Sequence, residues 1–417
     1  MSAPRASALA PFRIRAFRFQ WPADLATSWA FEMESLILGW YVLVETRSVL
    51  LFTVFVSLQH LGTLIAPMFG VMGDRLGPRI VLCAMRAFYA LLATIVMILS
   101  FAGALTPIHV FLIAGLLGLV RPSDIGMRAA VVGSTMPTSQ LVGAMSIQRT
   151  TQDSARIAGA LTGAGLVATL GIGPAYVVVV ALYTTSTLLT LHAGRGISHP
   201  RSTAAPEDRP SPWRDLREGL GYVRRTPHLL AIMSLAFMLN LTAFPLFTGL
   251  LPYVAREIYM TDQTGLGYMV AGAACGSLVG SIVLSRYGTA FRPMRLGLAG
   301  CVAWYIFLLV FANVPYHLAG IFILFFAGIG QSMSQVPVAA VLLRTAGERF
   351  RARVMGIRML AIYGNVPGAL LAGWLIEQMG YRATATLYCA AGIAVALLIT
   401  ALWREHLWRG DAPANAR

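Results

Sequence analysis

Twelve long runs of apolar residues, separated by short polar segments, dominate the sequence. They lie near residues 20–44, 48–72, 80–102, 108–132, 143–169, 174–193, 229–256, 264–286, 294–313, 316–343, 354–378 and 382–403. Each run approaches or exceeds the ~20 apolar residues that a helix needs to cross a bilayer. The pattern therefore predicts an all-α polytopic membrane protein with twelve transmembrane helices.

A polar stretch at residues 194–228 divides these runs into two groups of six. It is rich in proline and arginine, which is typical of a linker. Within it, Trp213, Leu216 and Leu220 recur at helical spacing, which predicts a short amphipathic helix on the membrane surface. We therefore expect an N-terminal half at 1–193, a cytoplasmic linker at 194–228 and a C-terminal half at 229–417.

The two halves are related by a shift of 210 residues without gaps. The shift superposes glycines in corresponding runs, namely Gly62 on Gly272, Gly70 on Gly280 and Gly118 on Gly328. Parallel repeats of two six-helix halves occur in secondary transporters, whose substrate site lies between the halves near the middle of the bilayer. The repeat thus predicts two pseudo-symmetric halves with a central site.

Composition and charge narrow the class of protein. Residues are 57% hydrophobic and 12% charged, whereas soluble domains carry about 25% charged residues. The net charge is +15, and every basic residue is arginine. Such an excess can indicate nucleic-acid binding, but arginine also collects in cytoplasmic loops of membrane proteins, and we expect no nucleic-acid partner. With the N-terminus inside, the outer loops carry only Arg47, Arg256 and Arg382, which predicts cytoplasmic termini.

Candidate enzyme chemistry is missing from the sequence. The four cysteines, Cys83, Cys275, Cys301 and Cys389, fall inside apolar runs without metal-ligand spacing. We find no nucleophile–base constellation, zinc motif or phosphate-binding loop. The sequence therefore predicts neither an enzyme nor a bound metal or cofactor.

A glycine-rich loop follows the second apolar run, with the sequence GVMGDRLGPR at residues 70–79. It resembles the signature loop of the major facilitator superfamily, G-x-L-(A/G)-D-R-x-G-(R/K)-(R/K), with methionine and proline at two of its positions. The resemblance implies a transporter of that fold. It also implies a gating role for the loop residues Gly70, Asp74, Arg75, Gly77 and Arg79.

Each of these loop residues has a physical reason to be there. Gly70 and Gly77 allow close helix approach and a tight turn. Asp74 can accept from free N–H groups at a helix N-terminus, which the resemblance places at the eleventh span, near Val354. Such a contact would hold the cytoplasmic side closed. The alternative is a plain cytoplasmic turn with a solvated Asp–Arg pair.

Two further segments refine the resemblance. Residues 39–48 and 141–165 are similar to the bacterial efflux branch that includes the enterobactin exporter. This implies export of a drug, siderophore or metabolite across the bacterial inner membrane, driven by proton antiport. The alternatives are a proton-coupled or facilitative importer of a small metabolite, and a non-transporting receptor on the same fold.

The first run carries three carboxylates, Asp24, Glu32 and Glu34. A charge at mid-bilayer costs ~2.5–3.5 kcal/mol, so each is a candidate for proton coupling. Glu32 and Glu34 point ~200° apart on a helix, so at most one faces a central cavity squarely. Either could carry the proton. The alternative is that one is merely paired to an arginine.

Two stripes of charge lie on the fourth and fifth spans. They are Arg121, Asp124 and Arg128, and Arg149, Asp153 and Arg156. The spacing puts each trio on one face of its helix with a net charge of +1, and we expect the two stripes to lie near each other. They serve either coupling or the packing of the cytoplasmic entrance as self-satisfied ion pairs.

Neutral polar residues mark the second half. The candidates for lining the substrate cavity are Asn240, Thr242, Gln331, Ser334, Gln335 and Tyr363. Nearby phenylalanines indicate an amphipathic or aromatic ligand. Hydrogen bonds between helices are the alternative role for each of them. The expected partners are this small molecule, protons and the lipid bilayer, and we expect a monomer.

Overall fold

The computed structural model describes residues 10–193, 212–287, 292–345, 358 and 360–403. In these residues the chain is almost entirely helical. The first half contains α1 Arg15–Thr46, α2 Val49–Leu58, α3 Ala66–Leu76, α4 Pro78–Phe101, α5 Pro107–Thr135, α6 Thr138–Leu170 and α7 Ile172–Ala193. A helix, α8 Pro212–Arg225, occurs within the predicted linker.

The second half repeats this pattern of long helices. It contains α9 Pro227–Ile258, α10 Gln263–Tyr287, α11 Pro293–Asn313, α12 His317–Thr345 and α13 Asn365–Leu402. Around Pro245 and Pro252, α9 contains three π-helical stretches, as expected where a proline removes an N–H donor inside a helix. The C-terminal helix α13 is broken at Gly380, which has φ 81° and ψ 166°.

Within the described residues, eight helical stretches are long and apolar enough to cross a membrane by length and composition. The stretch Ile362–Leu402 makes two passes because Gly380 turns the chain within it. Helices α1 and α6 are as long as the others, but buried charges lower their mean hydropathy. A short 3-10 turn at Leu61–Thr63 interrupts the α2–α3 segment. The predicted fold of twelve transmembrane helices in two pseudo-symmetric halves is confirmed.

Matched glycines mark equivalent helix crossings in the two halves. In the first half, a Cβ on Gly118 of α5 would overlap the carbonyl oxygen of Leu58, at the end of α2. In the second, a Cβ on Gly328 of α12 would overlap the carbonyl oxygen of Ala273 in α10. The two positions are related by the 210-residue shift. The repeat therefore preserves the places where two helix backbones come close enough to exclude a side chain.

The halves contact each other at several places. Helix α6 packs against α10, where Gly267 lies over the backbone of Ala160. Helix α2 packs against α13, and the Ser57 hydroxyl donates to the carbonyl of Val366 at 3.2 Å. At the end of α1, the guanidinium of Arg256 donates to the carbonyl of Leu43. This last contact joins the halves on the side where α1 ends.

The crossing at Gly118 gives a direct test of this packing. We expect Gly118→Ala to lower the free energy of unfolding by about 1–3 kcal/mol, because the new methyl group forces α5 away from Leu58. The matched control is Gly115→Ala on the same helix, where no atom of the described residues lies within 4 Å of the new carbon. Thermal melting in detergent measures both. Equal melting temperatures for the two variants would contradict the close approach.

Candidate functional site

The three carboxylates of α1 face different neighbours. Asp24 and Glu34 are buried, with 3% and 1% of their surfaces exposed, and both face helices of the first half. The Glu32 side chain is 30% exposed and faces α6. This divergence follows from the helical rotation of ~200° between Glu32 and Glu34. Helix α1 thus directs Glu32 toward its interface with α6, and directs Asp24 and Glu34 toward the interior of the first half.

Asp24 is the centre of the most deeply buried polar group. Its carboxylate pairs with the guanidinium of Arg86, a residue of α4 with no exposed surface. Gln20 donates to Oδ1 at 2.7 Å, and Gln148 of α6 donates to Oδ2 at 2.9 Å. Arg86 also donates to the hydroxyl of Thr190 in α7. One aspartate therefore ties together four helices of the first half.

Glu34 lies further along α1 and has a second set of partners. Its Oε2 accepts from the Tyr183 hydroxyl of α7 at 2.9 Å and from Arg121 at 3.4 Å. Its Oε1 makes no hydrogen bond of normal geometry among the described residues, and the hydroxyl of Tyr176 in α7 lies close enough to interact with the carboxylate. A carboxylate with one oxygen outside any regular hydrogen bond and a weak ion pair is suited to gaining and losing a proton.

Arg121 of α5 collects several acceptors at once. It donates to Ser35 Oγ at 2.9 Å, to Gln59 Oε1 at 2.9 Å and to the carbonyl of Phe31 at 3.0 Å. Its guanidinium also stands 4.2 Å from the centre of the Phe31 ring, within the range of a cation–π contact. This planar group therefore links Glu34 to Gln59 in the second span.

Both charged stripes contact α1. In the α5 stripe, Arg128 pairs with Asp124 and donates to the Ser28 hydroxyl at 2.6 Å. In the α6 stripe, Arg149 pairs with Asp153 at 3.4 Å, while Arg156 reaches Glu32 at 3.3 Å. The carboxylates of α1 therefore offset the +1 charge that each stripe carries by itself.

We call these residues the charged cluster. Its members are Asp24, Glu32, Glu34, Asp124, Asp153, Arg86, Arg121, Arg128, Arg149 and Arg156. Acids and arginines are equal in number, so the cluster is neutral when every member is ionised. Neutrality of this kind is what burial in a membrane requires, because an unpaired charge there is costly.

The signature loop is only partly within the described residues. The side chain of Asp74 and the segment 346–357, which includes Val354, lie outside them, so the predicted contact between the two is an open proposal. Gly77 has φ 90° and supplies the turn between α3 and α4. Gly70 has no described atom within 4 Å of a Cβ position, so it does not mark a close helix approach.

The two loop arginines differ. Arg75 is exposed, whereas Arg79 donates from Nε to the carbonyl of Thr190 at 2.9 Å and from a terminal amine to that of Leu191. These carbonyls belong to the last turn of α7, where a positive charge is stabilised by the helix dipole. Arg79 therefore fastens the start of α4 to the end of α7.

Three of the cavity candidates in the second half make hydrogen bonds between helices. The Thr242 hydroxyl lies 2.6 Å from the Tyr305 hydroxyl of α11. Asn240 accepts from Asn365 at 3.1 Å, and Gln331 accepts from Ser277 of α10 at 2.7 Å. These contacts correspond to the alternative role, the packing of helices.

The other three candidates differ in exposure. Ser334 is fully buried beside the thiol of Cys301, whereas Gln335 and Tyr363 are partly exposed. The amide nitrogen of Gln335 is buried without a hydrogen-bond partner among the described residues. Gln335 and Tyr363 are therefore the candidates still available to a ligand.

Sequence reasoning missed several members of the site. Arg86 is not among the residues predicted from the sequence, although a charged residue inside an apolar run is itself a sign of function. Tyr183 and Gln148 gave no comparable sign, because a tyrosine or glutamine at mid-span is compatible with many roles. Their importance depends on which helices pack together, and the spacing along one helix does not contain that information.

Comparison with known proteins assigns the family. The family model described as Major Facilitator Superfamily matches residues 30–365. The chain belongs to the Major Facilitator Superfamily. It is therefore an integral membrane transporter, and the superfamily fold accounts for the two six-helix halves. A search of curated proteins found no match.

Solved structures agree with this fold. The transporter PepTSo of the POT family has a TM-score of 0.74 and 13% identity, covering 95% of this chain and 98% of that one. A D-xylose–proton symporter has a TM-score of 0.70 and 12% identity, covering 92% and 96%. The nucleoside transporter NupG has a TM-score of 0.67 and 14% identity, covering 93% and 99%. At these identities the likeness concerns the fold alone.

Proposed function

We propose that this transporter exports a small organic molecule across the bacterial inner membrane by proton-coupled alternating access, with Glu34 as the proton carrier. The observation that carries the proposal is the environment of Glu34. Its carboxylate is buried inside the first half, has one oxygen that makes no hydrogen bond of normal geometry among the described residues, and is separated from Arg121 by 3.4 Å, which is a weak ion pair. A proton added to Oε1 would leave the bond from Tyr183 to Oε2 in place.

Through Arg121, protonation of Glu34 would change the arrangement of the helices that border the cavity. When Glu34 is ionised, the guanidinium is shared between Glu34 on α1 and Gln59 of the second span. When Glu34 is protonated, the attraction toward it falls and Arg121 can move toward its neutral acceptors Ser35 and Gln59. A shift of this kind joins proton binding to the helices that border the space between the halves.

Export is supported by the similarity of residues 39–48 and 141–165 to the bacterial efflux branch. In this direction, a proton from outside would reach Glu34 and promote substrate release there. Deprotonation inside would restore the Glu34–Arg121 pair for the next cycle. The substrate would be an amphipathic molecule, recognised in part by the neutral second half through Gln335 and Tyr363.

The test is proton movement in proteoliposomes that contain a pH-sensitive dye, challenged with amphipathic cations, anions and siderophore-like chelators. We expect substrate-dependent proton movement with the natural protein and its loss in Glu34→Gln, because an amide cannot exchange the proton. Glu377→Gln is the matched control, since Glu377 is exposed on α13 far from the charged cluster in sequence. Coupled proton movement that survives in Glu34→Gln would reject Glu34 as the carrier.

The second candidate function is proton-coupled import of a small metabolite. It is favoured by the similarity of the fold to that of a D-xylose–proton symporter. The same vesicles distinguish the two directions. Protons that move with the substrate indicate symport, whereas protons that move against it indicate antiport. Substrate flux that responds to neither a pH gradient nor a membrane voltage would reject both.

A further inference from the structure

The Glu32–Arg156 pair differs from the other ion pairs that join two helices of the charged cluster. Its two side chains are exposed to a similar extent, 30% for Glu32 and 32% for Arg156. In the Asp24–Arg86 and Glu34–Arg121 pairs, no side chain is more than 12% exposed. Glu32 and Arg156 are thus accessible to a molecule from outside the first half.

The Glu32–Arg156 pair lies next to the interface between the two halves. Glu32 points away from α5 and α7, the helices that hold Glu34, and toward α6. Helix α6 in turn packs against α10 of the second half. Between Gln263 and Ser285, the sequence of α10 has no acidic or basic residue. The charged groups facing Glu32 are therefore Arg156 and, through it, Asp153 of the same helix.

The backbone of α1 is held close to α6 at this point. A Cβ on Gly159 would lie 2.7 Å from Cβ of Glu32 and 2.9 Å from the carbonyl oxygen of Trp29. One turn before Glu32 on the same face, the Trp29 indole donates to the Thr162 hydroxyl at 2.8 Å. The pair is therefore fixed on two packed helices, with Trp29 one helical turn away on α1, as a precise binding site requires.

The contact between Glu32 and Arg156 leaves the two terminal amines of the Arg156 guanidinium available as hydrogen-bond donors. It joins Nε of Arg156 to Oε1 of Glu32 at 3.3 Å, and within the described residues no hydrogen bond engages the terminal amines of this guanidinium. Arginine binds a carboxylate best through two parallel N–H groups. A ligand carboxylate could therefore bind Arg156 with better geometry than Glu32 does.

Physical chemistry favours an anion over a cation here. Displacing Glu32 from Arg156 leaves a carboxyl group, which can take a proton and become neutral. Displacing Arg156 from Glu32 would leave a guanidinium, which stays charged at any physiological pH. An anion with a proton on Glu32 keeps the charge of the site unchanged, whereas a cation would leave one arginine uncompensated at membrane depth.

We propose that Arg156 binds the carboxylate of an aromatic or amphipathic organic anion, that Glu32 is the internal competitor for Arg156, and that this anion is the substrate class of the transporter. The proposal rests on the transport function proposed above and specifies the charge of its substrate. The proton on Glu32 comes from the surrounding water: one O–H bond of a hydronium ion breaks as one O–H bond forms on the carboxyl group, and the reverse transfer follows when the anion leaves.

The experiment is equilibrium binding to the purified full-length protein in detergent, measured by calorimetry. The probes are 4-phenylbutyrate, its primary amide and 4-phenylbutylamine, which share an apolar body and differ in charge. We expect the carboxylate to bind and the amide and amine to bind at least tenfold more weakly. Arg156→Gln should weaken carboxylate binding about tenfold or more, because two charge-assisted bonds are lost.

Glu32→Gln gives the opposite expectation, and this separates the proposal from a merely structural role for the pair. Removal of the competing carboxylate should tighten 4-phenylbutyrate binding about tenfold. Arg382→Gln is the control, because Arg382 is exposed on α13. Thermal melting of each variant, and of the Glu32→Gln/Arg156→Gln double variant, verifies folding.

Several outcomes would overturn the inference: preferential binding of the amine, no binding of the carboxylate, or carboxylate binding that Arg156→Gln leaves unchanged or Glu32→Gln weakens. The measurement needs neither a membrane nor a proton gradient. Carboxylate binding without flux in vesicles would therefore reject the proposed transport function and leave this site intact. Flux of a different substrate class with no carboxylate binding would reject the site alone.

Discussion

Asp24→Leu should lower the free energy of unfolding by about 3–5 kcal/mol, because it leaves a buried guanidinium without its counter-ion. Arg86 has no exposed surface, and after the change its named partner is the neutral hydroxyl of Thr190. The amide groups of Gln20 and Gln148 would lose their acceptor at the same time. Unfolding in mixed micelles with increasing SDS gives the free-energy change.

Arg86→Met, which removes the other member of the ion pair, should lower the free energy of unfolding by less than Asp24→Leu does. Asp24 would keep the donors of Gln20 and Gln148, and Arg128 lies 3.9 Å from its Oδ1. The double variant Asp24→Leu/Arg86→Met should be more stable than Asp24→Leu alone, since no unpaired charge is left. Arg18→Met, an exposed change on the same helix, is the control. A double variant as unstable as the sum of the two single changes would contradict the direct pairing of Asp24 with Arg86.

Arg121→Lys should reduce transport nearly as much as Arg121→Gln, by about 100-fold or more. The planar guanidinium serves Glu34, Ser35, Gln59 and the Phe31 carbonyl together, and a lysine ammonium cannot reach all four from one point. Loss of two bonds to a charged group, at ~1.5–3 kcal/mol each, accounts for this magnitude. Initial rates of substrate flux in proteoliposomes provide the measurement.

Arg382→Lys is the control for this exchange, since Arg382 is exposed. Arg121→Lys should melt at a higher temperature than Arg121→Gln, because the positive charge near Glu34 is retained. Equal loss of flux in the two variants, despite their different stabilities, identifies a functional role. Full activity of Arg121→Lys would show that charge alone suffices at this position and that the four-acceptor geometry is not needed.

The fold was predictable because it depends on patterns that can be read along the sequence, namely the apolar runs and the repeat between the halves. Twelve apolar runs gave the helices to within a few residues over most of the chain, and the glycine pair Gly118 and Gly328 identified the repeat. The charges in α1 and α6 were visible as interruptions. The sequence showed two separate runs on either side of Gly380, and the structure has a turn at this glycine, with φ 81° and ψ 166°.

The site was less predictable, because it depends on which helix faces pack against each other. The stripe on α5 was expected to act as a unit, but its two arginines separate, with Arg121 on Glu34 and Arg128 on Asp124. The partner of Asp24 is Arg86 on α4, and no spacing relates these two positions. Spacing along a helix predicted orientation correctly for Glu32 and Glu34, whereas contacts between helices require the packing itself.

The neutrality of the charged cluster has an electrical consequence. Moving one elementary charge across the membrane is worth about 2.3 kcal/mol per 100 mV. A rocking half whose clustered acids and arginines cancel carries no net charge of this cluster through the field, so the membrane voltage does little work on the cluster when it is empty and fully ionised. An anion on Arg156 with a proton on Glu32 leaves this unchanged. A proton on Glu34 adds one positive charge, and voltage then acts on the transport cycle through that proton alone.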